Sequence, residues 1–341
     1  MSDHHMSQMD RYSRQTVLEQ LGEKGQRRLL DARISVIGLG ALGTVSSTLL
    51  TRAGVGHITL IDRDVVELVN LQRQVLYGED DVGLPKAVVA AARLRQVNSS
   101  IKIEGLAKDV NSANVLGLLK GSDLVLDGTD NLETRFLINE ACVETGTPWV
   151  HAAVIGTEGR VMPIIPGKTA CFRCFSKSLP APGTLPTCET AGVLNSVAAA
   201  TASMQVTEAI KLIVGKKPSG HLMVLDGWSP ELLKIKMPRS KSCPVCVGGR
   251  REYLGGMRPQ IIAALCGSNT VSFDPLHKGK VDLAGIAMRL GKIGKVKVAG
   301  GVVVFETGKH GMTIFEDGRA LIRGARDAGE ARSLYSRYIG L

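Results

Sequence analysis

Four of the seven cysteines lie in two C-x-x-C pairs, a spacing that suits metal coordination. The pairs are Cys171 with Cys174 and Cys243 with Cys246. Four thiolates fit a tetrahedral zinc ion, and a shell closed by four protein ligands is typical of a structural site. We therefore predict a zinc ion that joins two distant segments of one fold and adds its binding energy to folding. A redox role for either pair is the alternative interpretation.

A second motif predicts a phosphate-binding turn. Gly38, Gly40 and Gly43 form G-x-G-x-x-G after the β-branched run 33–37 and before a run of small residues. Glycines in such a turn let backbone amides approach a phosphate, and the N-terminus of the following helix favours negative charge. Asp62, at the end of the next predicted strand, is placed to accept hydrogen bonds from ribose hydroxyls. These features predict a nucleotide site but do not distinguish NAD from ATP.

Polar groups after the following strands favour ATP. Arg73 and Lys86 offer two positive charges, and Asp130 offers a carboxylate that suits a magnesium ion. Hydride transfer needs no such cluster, whereas attack on an α-phosphate builds negative charge that must be stabilised as pyrophosphate leaves. Each residue alone would be interpreted as part of a surface salt bridge. Together, after successive strands, they indicate an ATP-using enzyme.

The other cysteines carry weaker signals. Cys142 lies within a predicted helix and is expected to be an inert core residue. Cys188 follows the proline-rich loop 177–186, where a thiol could reach a reacting carbonyl or a sulfur donor. A structural or incidental role is the alternative for Cys188. We assign no role to Cys266.

Alternating strands and helices must position these residues. The apolar pattern predicts strands and helices in turn, with strands at 33–37, 57–61, 101–106, 123–126 and 149–154 and helices at 86–97, 113–119 and 132–145. Such alternation implies parallel strands joined by right-handed crossovers. We therefore predict an α/β fold with a Rossmann-like, mostly parallel sheet and helices on both faces, whose ligands bind beyond the carboxyl ends of the strands.

We divide the chain into a polar, flexible tail (1–10), a large nucleotide-binding domain (11–250) and a small C-terminal α+β module (257–341). The tail lacks the apolar run of a secretory signal. The glycine-rich stretch 247–256 is predicted to be a linker. Within the module, helices are expected at 283–290 and 328–338, with strands at 296–298, 302–306 and 312–315 and a turn at 317–318.

Composition limits the classes of partner. The chain has 341 residues and a formal net charge of +10, but only 4% of its residues are aromatic. The aromatic stacking surfaces that single-strand nucleic-acid binders use are therefore scarce. We interpret the charge as a basic, solvated surface or as a face that attracts an acidic partner, and we expect no nucleic acid. The stretch 191–215 contains Asn195, Gln205, Glu208 and Lys211, so it is expected to be a closely packed helix and not a membrane span. We expect a cytoplasmic enzyme.

Taken in order, these motifs resemble those of the ThiF/MoeB adenylyltransferases, relatives of ubiquitin-activating enzymes. The resemblance covers roughly residues 12–246 and includes both cysteine pairs. Its other motifs are Arg11-Tyr-Ser-Arg14-Gln, Gly38-Leu-Gly-Ala-Leu-Gly43, Asp62-Arg-Asp64, Asn70-Leu-Gln-Arg73-Gln, Gly83-Leu-Pro-Lys86 and Asp127-Gly-Thr-Asp130-Asn131. It implies a homodimer that uses ATP and magnesium to adenylylate the terminal Gly-Gly carboxylate of a ubiquitin-like sulfur-carrier protein. Such carriers serve molybdopterin, thiazole, tRNA thiolation or cysteine synthesis.

The resemblance also implies roles for individual residues. Asn70, Arg73 and Lys86 would contact phosphates. Asp130 would bind magnesium, and Arg14 would reach into the site of the partner subunit. Cys188 matches the position of a loop cysteine that some members use covalently and others do not need. The residues expected at the bound nucleotide are Gly38, Gly40, Ala41, Gly43, Asp62, Asp64, Asn70, Arg73, Lys86, Asp130 and Asn131.

Two departures from the family pattern stand out. Ala41 replaces a glycine that relatives often carry inside the turn, but its backbone amide remains available. The C-terminal module lacks the Cys-led loop of a rhodanese-like extension. Its runs 315–322 and 331–338 resemble extensions of bacterial members, and no role is assigned to them.

An NAD-dependent oxidoreductase and a non-catalytic carrier-binding scaffold are the alternative functions. The presence of Arg14, Arg73, Lys86 and Asp130 together disfavours a scaffold.

Overall fold

An eight-stranded sheet forms the larger part of the molecule. The computed structural model describes residues 9–178, 191–256, 262–264, 270–273, 281–325 and 327–339. The sheet consists of β1 (Arg33–Ile37), β2 (His57–Ile61), β3 (Lys102–Leu106), β4 (Leu124–Asp127), β5 (Trp149–Ile155), β6 (Glu158–Ile164), β7 (His221–Asp226) and β8 (Glu231–Lys236). Its order is β3-β2-β1-β4-β5-β6-β7-β8, and the strands are parallel as far as β5 and antiparallel from there to β8.

Helices cover both faces of this sheet, as predicted. They are α1 (Ser13–Thr16), α2 (Gly22–Asp31), α3 (Ala41–Ala53), α4 (Lys86–Val97), α5 (Val115–Leu118), α6 (Leu132–Thr145), α7 (Phe172–Phe175) and α8 (Asn195–Ile213). Alternate strand residues enter two different cores: Val36 and Leu60 pack with α3, α4 and α8, whereas Ile37 and Ile61 pack with α5 and α6. This alternation follows from the two-residue repeat of a strand. The Rossmann-like α/β fold is therefore confirmed.

The strand order reverses between β1 and β4, and this point defines the ligand-binding edge of the sheet. Ile37, the last residue of β1, is in register with Ile61 of β2 and with Asp127 of β4. The three strands therefore end side by side. The loops that follow them must meet at one place.

Two features differ from the sequence-based expectation. The antiparallel strands β6, β7 and β8 were not predicted, because no helix separates β5 from β6 or β7 from β8 to mark them.

Residues 247–256 do not form a free linker either. The buried carboxylate of Glu140 accepts hydrogen bonds from the backbone amides of Glu252 (3.2 Å), Tyr253 (2.9 Å) and Leu254 (2.9 Å). These long-range bonds hold the segment against α6.

A second, antiparallel sheet follows in the C-terminal part of the chain. It consists of β9 (Ile262–Ala264), β10 (Thr270–Phe273), β11 (Lys295–Ala299), β12 (Val302–Thr307), β13 (His310–Phe315) and β14 (Ala320–Arg323), in the order β11-β12-β13-β14-β10-β9. Helices α9 (Leu283–Leu290) and α10 (Ala328–Tyr338) pack on it and match the predicted bounds. The small α+β module is therefore confirmed as a fold element. Among the described residues, no helix is both long and apolar enough to span a bilayer.

Candidate functional site

The glycine turn between β1 and α3 packs directly against the loop that follows β4. Gly38 has a φ of +87°, and a Cβ built on it would lie 2.7 Å from the carbonyl of Gly128. A Cβ on Gly43 would collide with the carbonyl oxygen of Gly38. Packing therefore requires glycine at Gly38 and Gly43. At Gly40 a Cβ would meet only Gln74 Nε2, at 3.8 Å, so the space beside Gly40 is open to a ligand.

Asp62 lies beyond β2 and holds the glycine turn. Its Oδ2 accepts a hydrogen bond from Leu39 N (2.6 Å), inside the turn, and its Oδ1 accepts one from Asp64 N (2.7 Å). Burial raises the pKa of Asp62 above its usual value, although the positive charge of Lys86 opposes this. The sequence predicted a ribose contact for Asp62. The structure adds a role in fixing the turn.

Lys86 is a buried cation at the N-terminus of α4, with 6% of its surface exposed. Its Nζ lies 3.5 Å from Asp64 Oδ2, and its backbone amide donates to Asp64 O at 3.0 Å. Burial alone would lower the pKa of Lys86, but Asp64, Asp62 and Asp130 raise it above its usual value. Lys86 therefore stays charged. A buried cation beside an open glycine turn suits a phosphate group.

Arg73 and Asn70 lie in the loop between β2 and α4 and contact each other. Arg73 Nη2 donates to Asn70 Oδ1 at 3.2 Å, and Arg73 Nη1 donates to Val69 O at 3.1 Å. Asn70 is buried, whereas Arg73 is only half-buried. The guanidinium is thus oriented by its own loop, and part of its surface remains exposed, where a ligand could contact it.

Asp130 and Asn131 lie in the loop after β4, beside the glycine turn. The side chain of Asp130 is exposed, and its charge contributes to the raised pKa of Lys86. Asn131 Oδ1 accepts from Thr134 N at 2.8 Å and so caps the N-terminus of α6. The structure brings the loops that carry Asp62, Lys86 and Asp130 to one edge of the sheet. The predicted magnesium contact of Asp130 remains a prediction.

A buried polar network below this loop was missed from the sequence. The carboxylate of Asp127 accepts from Thr129 N (2.9 Å) and Thr129 Oγ1 (2.7 Å) and pairs with His151 Nδ1 (2.8 Å). Arg135 Nε lies 3.3 Å from the same carboxylate, and Arg135 Nη2 donates to Thr129 O. Gln205 Nε2, on α8, donates to Asp127 O at 2.7 Å. These contacts fix the loop that carries Asp130.

Burial alone would raise the pKa of Asp127, but Arg135 and His151 hold it below its usual value. Replacing Asp127 with asparagine should therefore destabilise the fold by about 3 kcal/mol, because Arg135 would remain as an unpaired buried charge. Urea unfolding measures this change. The matched control is Glu158→Gln, which removes an exposed pair with Arg160 and should cost less than about 1 kcal/mol. Equal losses in the two variants would contradict the role of this network.

Arg14 lies far from the glycine turn of its own chain. Its neighbour Gln15 donates to Ala53 O (3.1 Å), at the C-terminal end of α3, whereas the glycine turn precedes the N-terminal end. A helix of this length spans about 20 Å. The side chain of Arg14 is exposed. The structure therefore does not bring Arg14 to the other predicted site residues of its own chain.

The four predicted zinc ligands lie together. Cys171 directly precedes α7 and Cys174 lies within it, and Cys243 and Cys246 lie in the turns after β8. The sulfur of Cys171 is 3.9 Å from that of Cys174 and 3.6 Å from that of Cys243, and all four sulfurs lie within 4.8 Å of one another. Tetrahedral zinc with thiolate bonds of 2.3 Å requires sulfurs about 3.8 Å apart. The cluster could therefore hold zinc.

The outcomes for the remaining cysteines differ. Cys142 lies on α6 and is completely buried in the core, as predicted, and burial raises the pKa of its thiol far above the usual value. Cys188 and Cys266 lie outside the described residues. The loop 177–186 is described only at residues 177 and 178, and the tail 1–10 only at residues 9 and 10.

Comparison with known proteins gives concordant results. The family model described as "ThiF family" matches residues 12–245. Over 335 residues the chain is 38% identical to the sulfur carrier protein ThiS adenylyltransferase of Bacillus subtilis, covering 97% of this chain and 99% of the relative. It is 40% identical over 245 residues to the SAMP-activating enzyme E1 of Haloferax volcanii, covering 71% of this chain and 90% of that enzyme.

Solved structures share the fold of the larger sheet. A crystal structure of E. coli MccB with MccA-N7isoASN has a TM-score of 0.62 and 26% sequence identity over 69% of this chain and 74% of MccB. A second MccB structure, with AMPCPP and MccA, has a TM-score of 0.63 at 24% identity, covering 71% of this chain and 75% of MccB. The Bacillus subtilis relative matches 97% of this chain, so its alignment extends into the C-terminal sheet.

Proposed function

The chain belongs to the ThiF family, and from this premise we propose that it adenylylates the C-terminal Gly-Gly carboxylate of a small ubiquitin-like sulfur-carrier protein. ATP is the co-substrate and pyrophosphate the second product. The observation that carries the proposal is the buried, charged Lys86 beside the open glycine turn at the point where the strand order reverses. The named relatives are adenylyltransferases or activating enzymes of this class.

In the proposed reaction, a carboxylate oxygen of the carrier attacks the α-phosphorus of ATP. An acyl–phosphate bond forms, the bond between the α- and β-phosphates breaks, and pyrophosphate leaves with the electron pair. Because the carboxylate is already ionised, the reaction needs no general base. Arg73 and Lys86 offset the charge that accumulates on the phosphates, and the fixed turn positions the nucleotide.

We assign magnesium to Asp130. An exposed carboxylate in the loop after β4, close enough to Lys86 to raise its pKa, suits a hard cation that keeps several of its waters. When bound, magnesium would neutralise phosphate charge. Asp64 and Asn131 border the same space, but each is engaged in its own contact, with Lys86 and with Thr134 respectively. Asp130 is therefore the residue that we expect to bind the ion.

The active form is proposed to be a homodimer. The length of α3 separates Arg14 from the glycine turn of its own chain, which supports the proposal that Arg14 acts at the phosphates bound by a second chain. We further propose that residues 11–250 form the adenylylation domain with structural zinc at Cys171, Cys174, Cys243 and Cys246. Residues 257–341 then form the separate module.

The test is ATP–pyrophosphate exchange with candidate carriers that end in Gly-Gly, beginning with one like ThiS, which the first relative's name indicates. We expect exchange only with a carrier present, and none when its terminal glycine is removed. Exchange that is indifferent to the carrier would contradict the proposed substrate. Reduction of nicotinamide would instead favour the oxidoreductase alternative, which rests on the glycine turn and Asp62 alone.

A separate prediction concerns Cys188. Replacing Cys188 with alanine should leave ATP–pyrophosphate exchange within about twofold of wild type, since adenylylation needs no thiol nucleophile. Any requirement for Cys188 should then appear only in transfer of sulfur to the activated carrier. Exchange assays and carrier thiocarboxylate formation, measured by intact mass, separate the two steps. A large loss of exchange in Cys188→Ala would place the thiol in the first step.

A further inference from the structure

The C-terminal sheet packs against the loops that carry the nucleotide site. Val302, Phe315 and Leu321 are buried against Val65 and Ala107, which follow β2 and β3. This contact surface lies on β12, β13 and β14. It therefore covers Val65, the residue next to Asp64.

One residue of the module, Arg319, enters this contact as a buried cation. It is only 2% exposed, although arginine is rarely buried completely. Arg319 Nη1 donates to Arg63 O at 2.7 Å, and Arg319 Nη2 donates to Ala107 O at 2.8 Å. Its guanidinium carbon lies 3.9 Å from the centre of the Phe315 ring. The side chain therefore connects the loop after β2 to the loop after β3.

The two carbonyls that Arg319 binds belong to the framework of the site. Arg63 lies between Asp62, which holds the glycine turn, and Asp64, which pairs with Lys86. The loop containing Asp64 is bonded in turn to the segment before α4, through Val66 N to Leu84 O (2.8 Å). A displacement of the Arg63 peptide would therefore move both Asp62 and Asp64.

A second contact reaches the other side of the same framework. Thr313 Oγ1 donates to Gly83 O at 3.4 Å, and a Cβ on Gly83 would lie 3.4 Å from Val304. Gly83 N in turn donates to Val66 O at 2.8 Å. The module thus contacts both the loop with Asp64 and the turn that leads into Lys86.

The module also fixes Arg319 itself. Tyr335 OH, on α10, donates to Gly318 O at 2.7 Å, and Asp317 Oδ1 accepts from Arg319 N at 3.1 Å. The two sequence runs that had no assigned role, 315–322 and 331–338, therefore meet at the turn before Arg319. Their common effect is to present one guanidinium to the nucleotide domain.

We propose that Arg319 is a positioning residue for ATP: through the carbonyls of Arg63 and Ala107, the C-terminal module holds the carboxylates of Asp62 and Asp64, and thereby Lys86, in place for the nucleotide. The inference rests on the proposed use of ATP and assigns to the module a part in the site. Arg319 itself touches neither substrate.

The test compares Arg319→Met with Arg323→Met in the full-length chain. Arg323 lies nearby on β14, and its partly exposed side chain pairs with Glu306 (2.9 Å), so its replacement removes the same kind of side chain without removing a hydrogen bond to the carbonyls of Arg63 and Ala107. For Arg319→Met we expect the dissociation constant for MgATP, measured by calorimetric titration, to rise about tenfold. In the exchange assay the KM for ATP should rise similarly, with the KM for the carrier within about twofold. Arg323→Met should change neither value.

A merely structural role would give a different pattern. It would reduce the amount of active protein and the apparent kcat, with the affinity for ATP unchanged in the folded fraction. Arg319→Lys keeps one donor for one of the two carbonyls, and it should show an intermediate affinity for ATP. If Arg319→Met does not fold, Arg319→Lys and Thr313→Val provide the same comparison, each with an expected two- to fivefold loss of ATP affinity.

An unchanged ATP affinity in folded Arg319 variants would overturn the inference. Failure of the proposed function has a separate signature: wild-type protein would bind ATP but show no carrier-dependent exchange. The titration with MgATP would still decide the role of Arg319 in that case.

Discussion

Replacing Asp130 with alanine is expected to reduce carrier-dependent ATP–pyrophosphate exchange by roughly a hundred- to a thousandfold. Asp130 is exposed in the loop after β4, and the network around Asp127 fixes that loop without it. Its removal should therefore leave the fold intact. The loss comes from the reaction, because the proposed magnesium contact would be missing when charge builds on the phosphates.

The matched control for Asp130 is Asp80→Ala. Asp80 is also an exposed aspartate, but it lies in the turn Glu79–Asp81, which contains none of the residues expected at the nucleotide. This variant should retain exchange within about twofold of wild type. Unfolding of both variants should follow the wild-type curve. Full exchange activity in Asp130→Ala would contradict the proposed mechanism.

The second large effect is expected at the cysteine cluster. Replacing Cys243 with serine should abolish stoichiometric zinc binding and lower the midpoint of thermal unfolding by about 10 °C or more. Cys243 is buried, and its sulfur lies 3.6 Å from that of Cys171, so the remaining three thiols would have no fourth partner. The two chain segments that the ion would join would then be held only by packing. Metal analysis of purified protein and thermal unfolding measure the two effects.

The control for the cluster is Cys142→Ala. Cys142 is also buried, but it lies on α6 among apolar residues and outside the group of four sulfurs. This variant should keep one zinc ion per chain and lose only the small stability cost of a trimmed core side chain. Cys243→Ser that retains zinc and wild-type stability would show that the cluster is not a structural metal site.

Much of the nucleotide-binding fold was predictable because its signals are local. The bounds predicted for the helices that begin at Lys86 and Leu132 match α4 and α6. The strand ends at Ile37 and Ile61 also match. The glycine turn and the cysteine pairs have fixed short spacings, which a sequence displays directly. Whether the proposed catalytic residues act as predicted is a matter for the experiments above.

The residues that fix the site were not predictable in the same way. His151 on β5 contacts Asp127 on the neighbouring strand β4. Arg319 binds carbonyls that lie more than two hundred residues earlier in the chain. A histidine or arginine in an apolar stretch has no spacing that identifies its distant partner. The antiparallel strands β6 to β8 were missed for a related reason: tertiary contacts fix their pairing, and no helix separates β5 from β6 or β7 from β8. Tertiary contacts determine these polar contacts and this strand pairing, and the local sequence pattern does not predict them.

The chemical product on the carrier tests the central claim most directly. A carrier ending in Gly-Gly is incubated with the protein and MgATP, treated with hydroxylamine and examined by intact mass spectrometry. We predict a carrier hydroxamate at the C-terminal glycine, because hydroxylamine displaces AMP from an acyl-adenylate. No hydroxamate should form without ATP or with Asp130→Ala. An unmodified carrier in the presence of folded, ATP-binding protein would contradict carboxylate adenylylation for every carrier so tested.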